Sequence, residues 1–183
     1  MAPGIAARAV RLLFLGAAVG FLAASCMPLT PGASVAVPEV SQPPLSPAVS
    51  GTAAALEAAF RPTNLGFVPA IRSYRPAEPL ELQGASRTVF QVALPADPGA
   101  GFFVIYEFPD ASHAADAGAA FAQYLESGFG QTNYPVDTKF ALGIEGSTMV
   151  FAAWSPGAMS DWAAAAPAFQ VLSTFGQPIT IVR

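Results

Sequence analysis

Short blocks of apolar residues, separated by glycine, proline and polar positions, divide the second half of the chain into strands. The strongest block is 102–108, in which Glu107 is the only charged residue. Runs of aromatic and β-branched residues of this length are typical of strands. The same pattern predicts strands at 139–144, 148–154 and 178–182, and a hairpin of 79–83 with 87–94 across Gly84-Ala85-Ser86.

Two other segments show the spacing of helices, with apolar residues recurring three or four positions apart, and a third, short helix is predicted from its cap. One of them contains Pro167, which removes one backbone hydrogen bond and predicts a kink. Serine, threonine and aspartate before such a segment are the preferred N-terminal caps. The predicted caps and helices are Asp110 for a helix that stops at Ser127-Gly128, Ser160 for about 161–175 and Thr52 for 53–60.

From residue 102 onward the predicted order of elements is β-α-β-β-α-β. This is the order of the ferredoxin-like fold, in which two helices cover one face of an antiparallel sheet. The sequence therefore predicts an α+β domain: a ferredoxin-like two-layer sandwich with an added N-terminal hairpin and a short helix. The place of 87–94 stays open, because tight pairing with 102–108 would occupy an edge that the ferredoxin-like order uses.

Both faces of the predicted sheet are apolar. In the strand 148–154, Met149 and Phe151 lie on one side, and Val150 and Trp154 on the other. A two-layer domain leaves one sheet face polar, so the second face needs a cover. Three covers are possible: the segment 53–77 of the same chain, a second copy packed sheet to sheet, or an apolar ligand or partner in a groove.

The N-terminus has the layout of an export signal. Arg8 and Arg11 form a positive region, and 12–24 is an uncharged apolar run, shorter than the ~20 residues that a membrane-spanning helix needs. Small residues at 23–25 lead into Cys26, the only cysteine of the chain. This arrangement predicts that the chain leaves the cytoplasm.

This end of the chain resembles the lipobox of bacterial lipoprotein signal peptides, in which a cysteine after small residues is lipidated and becomes the mature N-terminus. The resemblance covers residues 1–26 and implies a signal peptide at 1–25 and a lipid on Cys26. Two alternatives stay open, a secretory signal cleaved near Ser34-Val35-Ala36 and an uncleaved signal anchor. The coincidence of the only cysteine with the only signal-like run favours lipidation.

A proline-rich linker is predicted at 26–50. Between residues 27 and 50 the chain has six prolines and one charge, Glu39. Prolines prevent a continuous ladder of backbone hydrogen bonds, so neither a helix nor a strand is expected there. The predicted α+β globular domain is 51–183.

Charge is scarce and its balance is acidic. Of the 183 residues 11% are charged, against roughly 25% in a typical soluble domain. Without residues 1–25 the chain loses Arg8 and Arg11 from its 8 basic residues and keeps all 12 acidic ones, so the net charge becomes −6. This balance excludes nucleic acid as a partner, and a lone cysteine excludes a disulfide scaffold.

Catalytic chemistry finds little support in the sequence. His113 is the only histidine, and it shares one predicted helix face with Asp110 and Asp116. A weak metal site is conceivable there, but a helix cap on a solvated face is favoured. No strained serine elbow and no phosphate-binding loop is present. We therefore expect no cofactor and no metal.

The segment 129–137 is the most promising irregular stretch. Gln131, Asn133, Tyr134 and Asp137 could hydrogen-bond a ligand at the end of the sheet, where binding loops often lie. The alternative is an ordinary connection whose glycine, asparagine and proline serve the turn.

Together these features predict a lipoprotein tethered to the outer face of the plasma membrane or to the outer membrane. Its domain is expected to act as a binding or interaction module of unknown ligand. The expected partners are the membrane, through the N-terminal lipid, and a protein or a second copy of the chain. The alternative functions are a small extracytoplasmic enzyme and a homodimeric structural envelope protein.

Overall fold

The computed structural model of the chain describes residues 44–182. Its strands are β1 (Phe67–Pro69), β2 (Ser86–Val92), β3 (Phe102–Glu107), β4 (Lys139–Glu145), β5 (Thr148–Trp154) and β6 (Gln177–Pro178). Its α-helices are α1 (Pro47–Phe60), α2 (Ala111–Glu126), α3 (Gly128–Asn133) and α4 (Trp162–Thr174). The six strands form one antiparallel sheet in the order β1-β2-β3-β5-β4-β6. The α+β class predicted from the sequence is therefore confirmed.

The helix α1 begins earlier than predicted. Ser46 caps it, since its hydroxyl accepts a hydrogen bond from the backbone N–H of Val49, and Pro47 occupies the first turn, where its missing N–H costs nothing. Val49 is buried. The last four residues of the predicted linker, 47–50, are thus helical.

The caps of α2 and α4 lie at or next to the predicted residues. Asp110 caps α2 as predicted, through the N–H of His113. At α4 the capping side chain is Asp161, one residue after the predicted Ser160. Pro167 lies inside α4.

The ferredoxin-like strand order is not confirmed. That order would place the last strand beside β3, but β2 occupies this edge of β3 along six residue pairs. β6 instead pairs with the far edge of β4, at Gly143 and Ile144. The reason is local: β2 and β3 are neighbours in sequence and form a hairpin, whereas the last strand would have to cross the domain to displace it.

Because β6 lies at the outer edge of β4 and not beside β3, the helices α2 and α4 lie on opposite faces of the sheet. The crossovers β3-α2-β4 and β5-α4-β6 each skip one strand in the same direction, but β3 and β5 are antiparallel. Because such crossovers are right-handed, two of them that advance in the same direction from antiparallel strands lie on opposite faces. The domain consequently has three layers, where two were predicted.

Two apolar clusters, one on each face, follow from this arrangement. Alternate residues of β3 divide between them, Phe103 and Ile105 on the face of α1 and α4, and Val104 and Tyr106 on the face of α2. All four are 0% exposed. The apolar character of both sheet faces therefore has an explanation within the chain, and neither face is open to a second copy packed sheet to sheet.

The predicted cover, 53–77, contributes only in part. Leu56 and Phe60, both in α1, are buried in the cluster on the α1 and α4 face, as expected. Tyr74, however, packs on the α2 face, and Ile71 is 94% exposed. The rest of the cover on the first face comes from α4.

Two predicted strands are shorter or absent. The segment 79–83 contains a 3₁₀ turn, Leu80–Leu82, so the predicted hairpin is wrong and β1 is the partner of β2. The final strand is limited to Gln177 and Pro178. The segment Gln42–Arg183 forms one compact unit, and a hydrophobic core of its own is the mark of an independently folding domain.

Candidate functional site

The predicted binding loop is largely helical. Gln131 and Asn133 belong to α3, and their side-chain amides are used locally. The amide of Gln131 donates to the carbonyl of Glu126 at 3.0 Å, and that of Asn133 donates to the hydroxyl of Tyr124 at 2.8 Å. Both residues are exposed, and both fix the junction between α2 and α3.

Tyr134 connects this junction to a distant segment. Its hydroxyl donates to the carbonyl of Ala77 at 2.7 Å, and its ring meets Phe140 edge-on at 5.1 Å between centroids. Burial raises the pKa of the Tyr134 phenol well above its ordinary value, so the group stays a neutral donor.

Asp137 binds to the connection between β5 and α4. Its carboxylate accepts hydrogen bonds from the hydroxyl of Ser155 and from the backbone N–H of Gly157. These bonds lower the pKa of Asp137, with the Ser155 hydroxyl as the largest cause. Asp137 thereby ties the turn before β4 to the connection between β5 and α4. The four predicted ligand-binding residues lie in one stretch of chain, but their contacts point to three different places.

Asp110 and His113 together form the N-terminal cap of α2. One oxygen of Asp110 accepts from the backbone N–H of His113 and also lies 2.9 Å from its Nδ1. The bond to Asp110 raises the pKa of His113, and the bond from the His113 backbone lowers the pKa of Asp110. In residues 44–182 no group of three or more histidine, cysteine, aspartate or glutamate side chains is arranged to hold a metal ion. Cys26, the predicted site of lipid attachment, lies outside the described residues.

A cavity lies at one edge of the sheet. β1 pairs with β2 only at Phe90–Val92, so the outer edge of β2 continues beyond its partner strand. A cavity of about 670 Å³ runs beside this part of β2, and we call it the edge cleft. Its walls are Pro44, Leu45, Ser46 and Val49, the residues 69–74, the residues 86–89 and Glu107.

The backbone of β2 faces the edge cleft with hydrogen-bonding groups. The carbonyl of Val89 accepts from the N–H of Ala70 at 2.9 Å, which marks the end of the pairing on this side. In an antiparallel strand the N–H and C=O groups of every second residue point the same way. The groups of Arg87 therefore also point outward, where no described strand pairs with them.

A buried carboxylate lies next to the cleft. The side chain of Glu78 is 2% exposed. One of its oxygens accepts from Arg75 (Nη2 at 2.8 Å) and from Arg87 (Nη1 at 2.9 Å), and the other accepts from the hydroxyl of Tyr106 at 2.6 Å. We call these four residues the Glu78 cluster. Charge-assisted hydrogen bonds from three donors offset the cost of burying the carboxylate.

Two tyrosines near this cluster are held neutral. Burial raises the pKa of Tyr106 far above its ordinary value, and its hydrogen bond to Glu78 adds to the effect. Burial also raises the pKa of Tyr74 to about 12. The ring of Tyr74 stacks on Phe102, with centroids 5.0 Å apart and an interplanar angle of 9°.

Arg87 belongs to both the edge cleft and the Glu78 cluster. Its backbone and side chain border the edge cleft, and its guanidinium is fixed by Glu78. Arg72 is the other cationic wall residue, and it is exposed. The cleft thus combines an open strand edge with one arginine held by Glu78, one exposed arginine and the single carboxylate of Glu107.

Neither the edge cleft nor the Glu78 cluster can be predicted from the sequence patterns. Glu78 stands in a proline-rich stretch, between Pro76 and Pro79, where no periodicity is visible. Both prolines are buried, and a lone acid between prolines with an arginine three residues earlier is the only local signal. The meeting of Glu78 with Arg87 and Tyr106 depends on the pairing of β2 with β3.

Comparisons with protein-family models, with curated proteins and with solved structures give no match to this chain.

Proposed function

We propose that the chain is an exported, lipid-anchored protein whose domain binds an extended polypeptide segment in the edge cleft. The sequence pattern that ends at Cys26 supports the anchor. Within residues 44–182 no helix combines the length and the apolar character needed to cross a bilayer.

The open edge of β2 carries the binding proposal. An extended peptide can add a strand to an exposed sheet edge, where backbone hydrogen bonds supply affinity and side-chain contacts supply selectivity. The edge cleft offers outward groups at Arg87 and a volume of about 670 Å³ beside them. This volume lies within the range of roughly 300–1,000 Å³ that is typical of ligand sites.

The charges on the walls favour an acidic segment. Arg72 is an exposed wall residue, and Glu107 lies beside Ser86, the first residue of β2. Arg87 is already bound to Glu78. An incoming carboxylate would therefore bind to the exposed Arg72, where it displaces no partner within the chain. We expect acidic side chains at the Arg72 end of the bound segment and uncharged ones near Glu107.

Binding is favoured over catalysis because several carboxylates already accept hydrogen bonds from other residues of the chain. Glu78, Asp97 and Asp137 are all held by donors within the chain. His113 is exposed and occupied with its cap. A general acid or base needs access to a reacting group, and these residues serve packing and turns instead.

A capped seven-residue peptide of alternating valine and glutamate tests the proposal. We expect it to shift the backbone amide resonances of 86–89 and Ala70 in the unit 42–183, with saturation. The substitution Arg72→Glu should weaken this peptide and strengthen its lysine counterpart. Arg61→Glu, an exposed arginine outside the cleft, is the matched control.

The same peptide with alternate amides N-methylated separates strand addition from charge attraction, because it keeps the side chains and loses the backbone donors. Equal binding of both peptides, or shifts confined to other surfaces, would rule out strand addition at β2.

The anchor is tested separately by labelling with palmitate in a bacterium that processes lipoproteins. We expect label on the wild-type chain and none on Cys26→Ser. An unmodified mature N-terminus downstream of Cys26 would overturn the lipid anchor and leave the binding proposal in place.

A further inference from the structure

The edge cleft is closed at one end by a strand of the same chain. β1 occupies the outer edge of β2 at Phe90–Val92, and the N–H of Ala70 donates to the carbonyl of Val89. An edge that already has a partner strand cannot pair with a second one. A segment added to β2 must therefore end, or turn away, where it reaches Ala70. We call this the closed end of the cleft.

The two ends of the cleft differ in charge. Arg72 follows Ala70 by two residues, so the two Cα atoms lie within about 7 Å of each other. Its Nη1 is 3.7 Å from the position of a Cβ at Gly99, in the loop that joins β2 to β3. Glu107 pairs with Ser86, at the other end of β2. The closed end is therefore cationic, and the far end is acidic.

Hydrogen-bond donors near the closed end are unused. Ile71, Arg72 and Ser73 line the cleft, and all three are exposed. No salt bridge joins Arg72 to another residue between 44 and 182. Within the same range no hydrogen bond engages the backbone N–H groups of these three residues. Backbone N–H groups and a guanidinium are the donors that suit a carboxylate.

The charges indicate which terminus of a polypeptide fits the closed end. A segment antiparallel to β2 would place its N-terminal ammonium beside Arg72 and direct its carboxylate towards Glu107, so both ends would meet like charge. A segment parallel to β2 would place its C-terminal carboxylate beside Arg72. Parallel pairing is slightly less stable per residue, but a charge-assisted hydrogen bond at the terminus is strong enough to offset this difference.

We propose that the edge cleft selects the free C-terminus of a polypeptide. The last residues lie parallel to β2, and the terminal carboxylate accepts hydrogen bonds from Arg72 and from the backbone N–H groups of 71–73. This inference rests on the proposed peptide binding at β2 and specifies which part of a polypeptide is bound there.

Three versions of the seven-residue valine–glutamate peptide test the selection. The first is N-acetylated with a free C-terminal carboxylate, and the second is N-acetylated with a C-terminal amide. The third has the C-terminal amide and an N-terminal succinyl group, so it matches the net charge of the first but carries the added carboxylate at the other end. In titrations of the unit 42–183, followed by the amide resonances of 86–89, the first should bind about tenfold more tightly than the other two.

A variant and a spin label locate the carboxylate. Arg72→Gln should remove the preference for the free carboxylate, and Arg61→Gln, an exposed arginine outside the cleft, should keep it. A nitroxide at the N-terminus of the free-acid peptide should broaden the amide resonances of Ser86 and Glu107 more than that of Ala70.

Each result decides between the two levels of the proposal. Equal affinity of the free acid and the amide, with shifts at 86–89 for both, would overturn the selection of a C-terminus and leave peptide binding in place. Stronger broadening at Ala70, or a preference that survives Arg72→Gln, would overturn the parallel orientation with its carboxylate at Arg72. Absence of shifts at 86–89 with all three peptides would overturn peptide binding at β2 as well.

Discussion

Buried charge is concentrated at Glu78. Its carboxylate receives two guanidinium groups and one phenol, and Arg75 and Arg87 come from different segments of the chain. The cluster therefore holds the irregular segment before β2 against the sheet. Removing Glu78 takes the shared acceptor from two arginines and from the buried Tyr106 hydroxyl, and removing a donor leaves the buried carboxylate with fewer partners; either change costs more than the intact network contributes.

Glu78→Gln should lower the free energy of unfolding by about 2–3 kcal/mol, because two arginines lose their counter-charge and Tyr106 loses a charged acceptor. Tyr106→Phe should cost about 1.5–3 kcal/mol, the value of one hydrogen bond to a charged group. Urea denaturation of both variants and of the double variant measures the coupling between them.

Glu81→Gln is the control for this series, since Glu81 is exposed, and surface substitutions usually change stability by less than about 0.5 kcal/mol. A Glu78→Gln variant as stable as Glu81→Gln would show that the buried cluster does not hold this segment.

Secondary-structure elements are joined at their ends by carboxylates. Asp97, in the loop between β2 and β3, accepts from the hydroxyl of Ser160 at 2.6 Å and from its backbone N–H at 3.0 Å. It also lies 3.5 Å from the N–H of Asp161, the cap of α4. The loop is thereby bound to the start of a helix that lies far from it in sequence.

Stability should depend on pH through this contact. The hydroxyl of Ser160 lowers the pKa of Asp97 below its ordinary value of 3.8. A lowered carboxyl pKa stabilises the fold fully above the ordinary value, and this contribution is lost as the pH falls through the lowered value. Asp97→Asn should therefore be less stable than the wild type at pH 7, and the gap should narrow as the pH falls below 3.8.

Urea midpoints at pH 7, 5 and 3 measure this gap. Asp116→Asn, on the exposed surface of α2, should show no comparable gap at pH 7. A difference between wild type and Asp97→Asn that stays constant across the three pH values would exclude the carboxylate as its source.

The sequence allowed the central elements to be predicted but not their arrangement. Strands β3 and β5 and the cap of α2 follow from local patterns. The strand order depends on a competition between β2 and the last strand for one edge of β3, and Pro178 limits how far that last strand can pair. The Glu78 cluster was out of reach for the same reason, because its residues meet only after β2 and β3 have paired.

At the scale of the domain, the sheet has a well-protected centre and short, weakly paired edge strands. Strands β3 and β5 lie in the middle of the sheet, with apolar clusters on both faces. β1 and β6 have three and two residues. Short edge strands open locally, whereas buried central strands exchange only when the entire domain unfolds.

Hydrogen exchange followed by NMR should therefore rank the amides by position in the sheet. The amides of Ile105 and Val150 should exchange at the rate set by global unfolding, and those of Ala70 and Ile179 should exchange much faster, through local opening. Equal protection at Ile179 and Val150 would mean that β6 is an integral part of the sheet.

The pairing of β3 with β5 has a consequence for how fast the chain folds. The hairpins β2–β3 and β4–β5 bring together residues that are close in sequence, but Val104 meets Phe151 only after α2 and α3 have been spanned. Contacts between distant residues are slow to form because closing the loop costs entropy first. We expect the docking of the two hairpins to limit the folding rate, so that lengthening the connection between α3 and β4 would slow folding more than it would destabilise the native state.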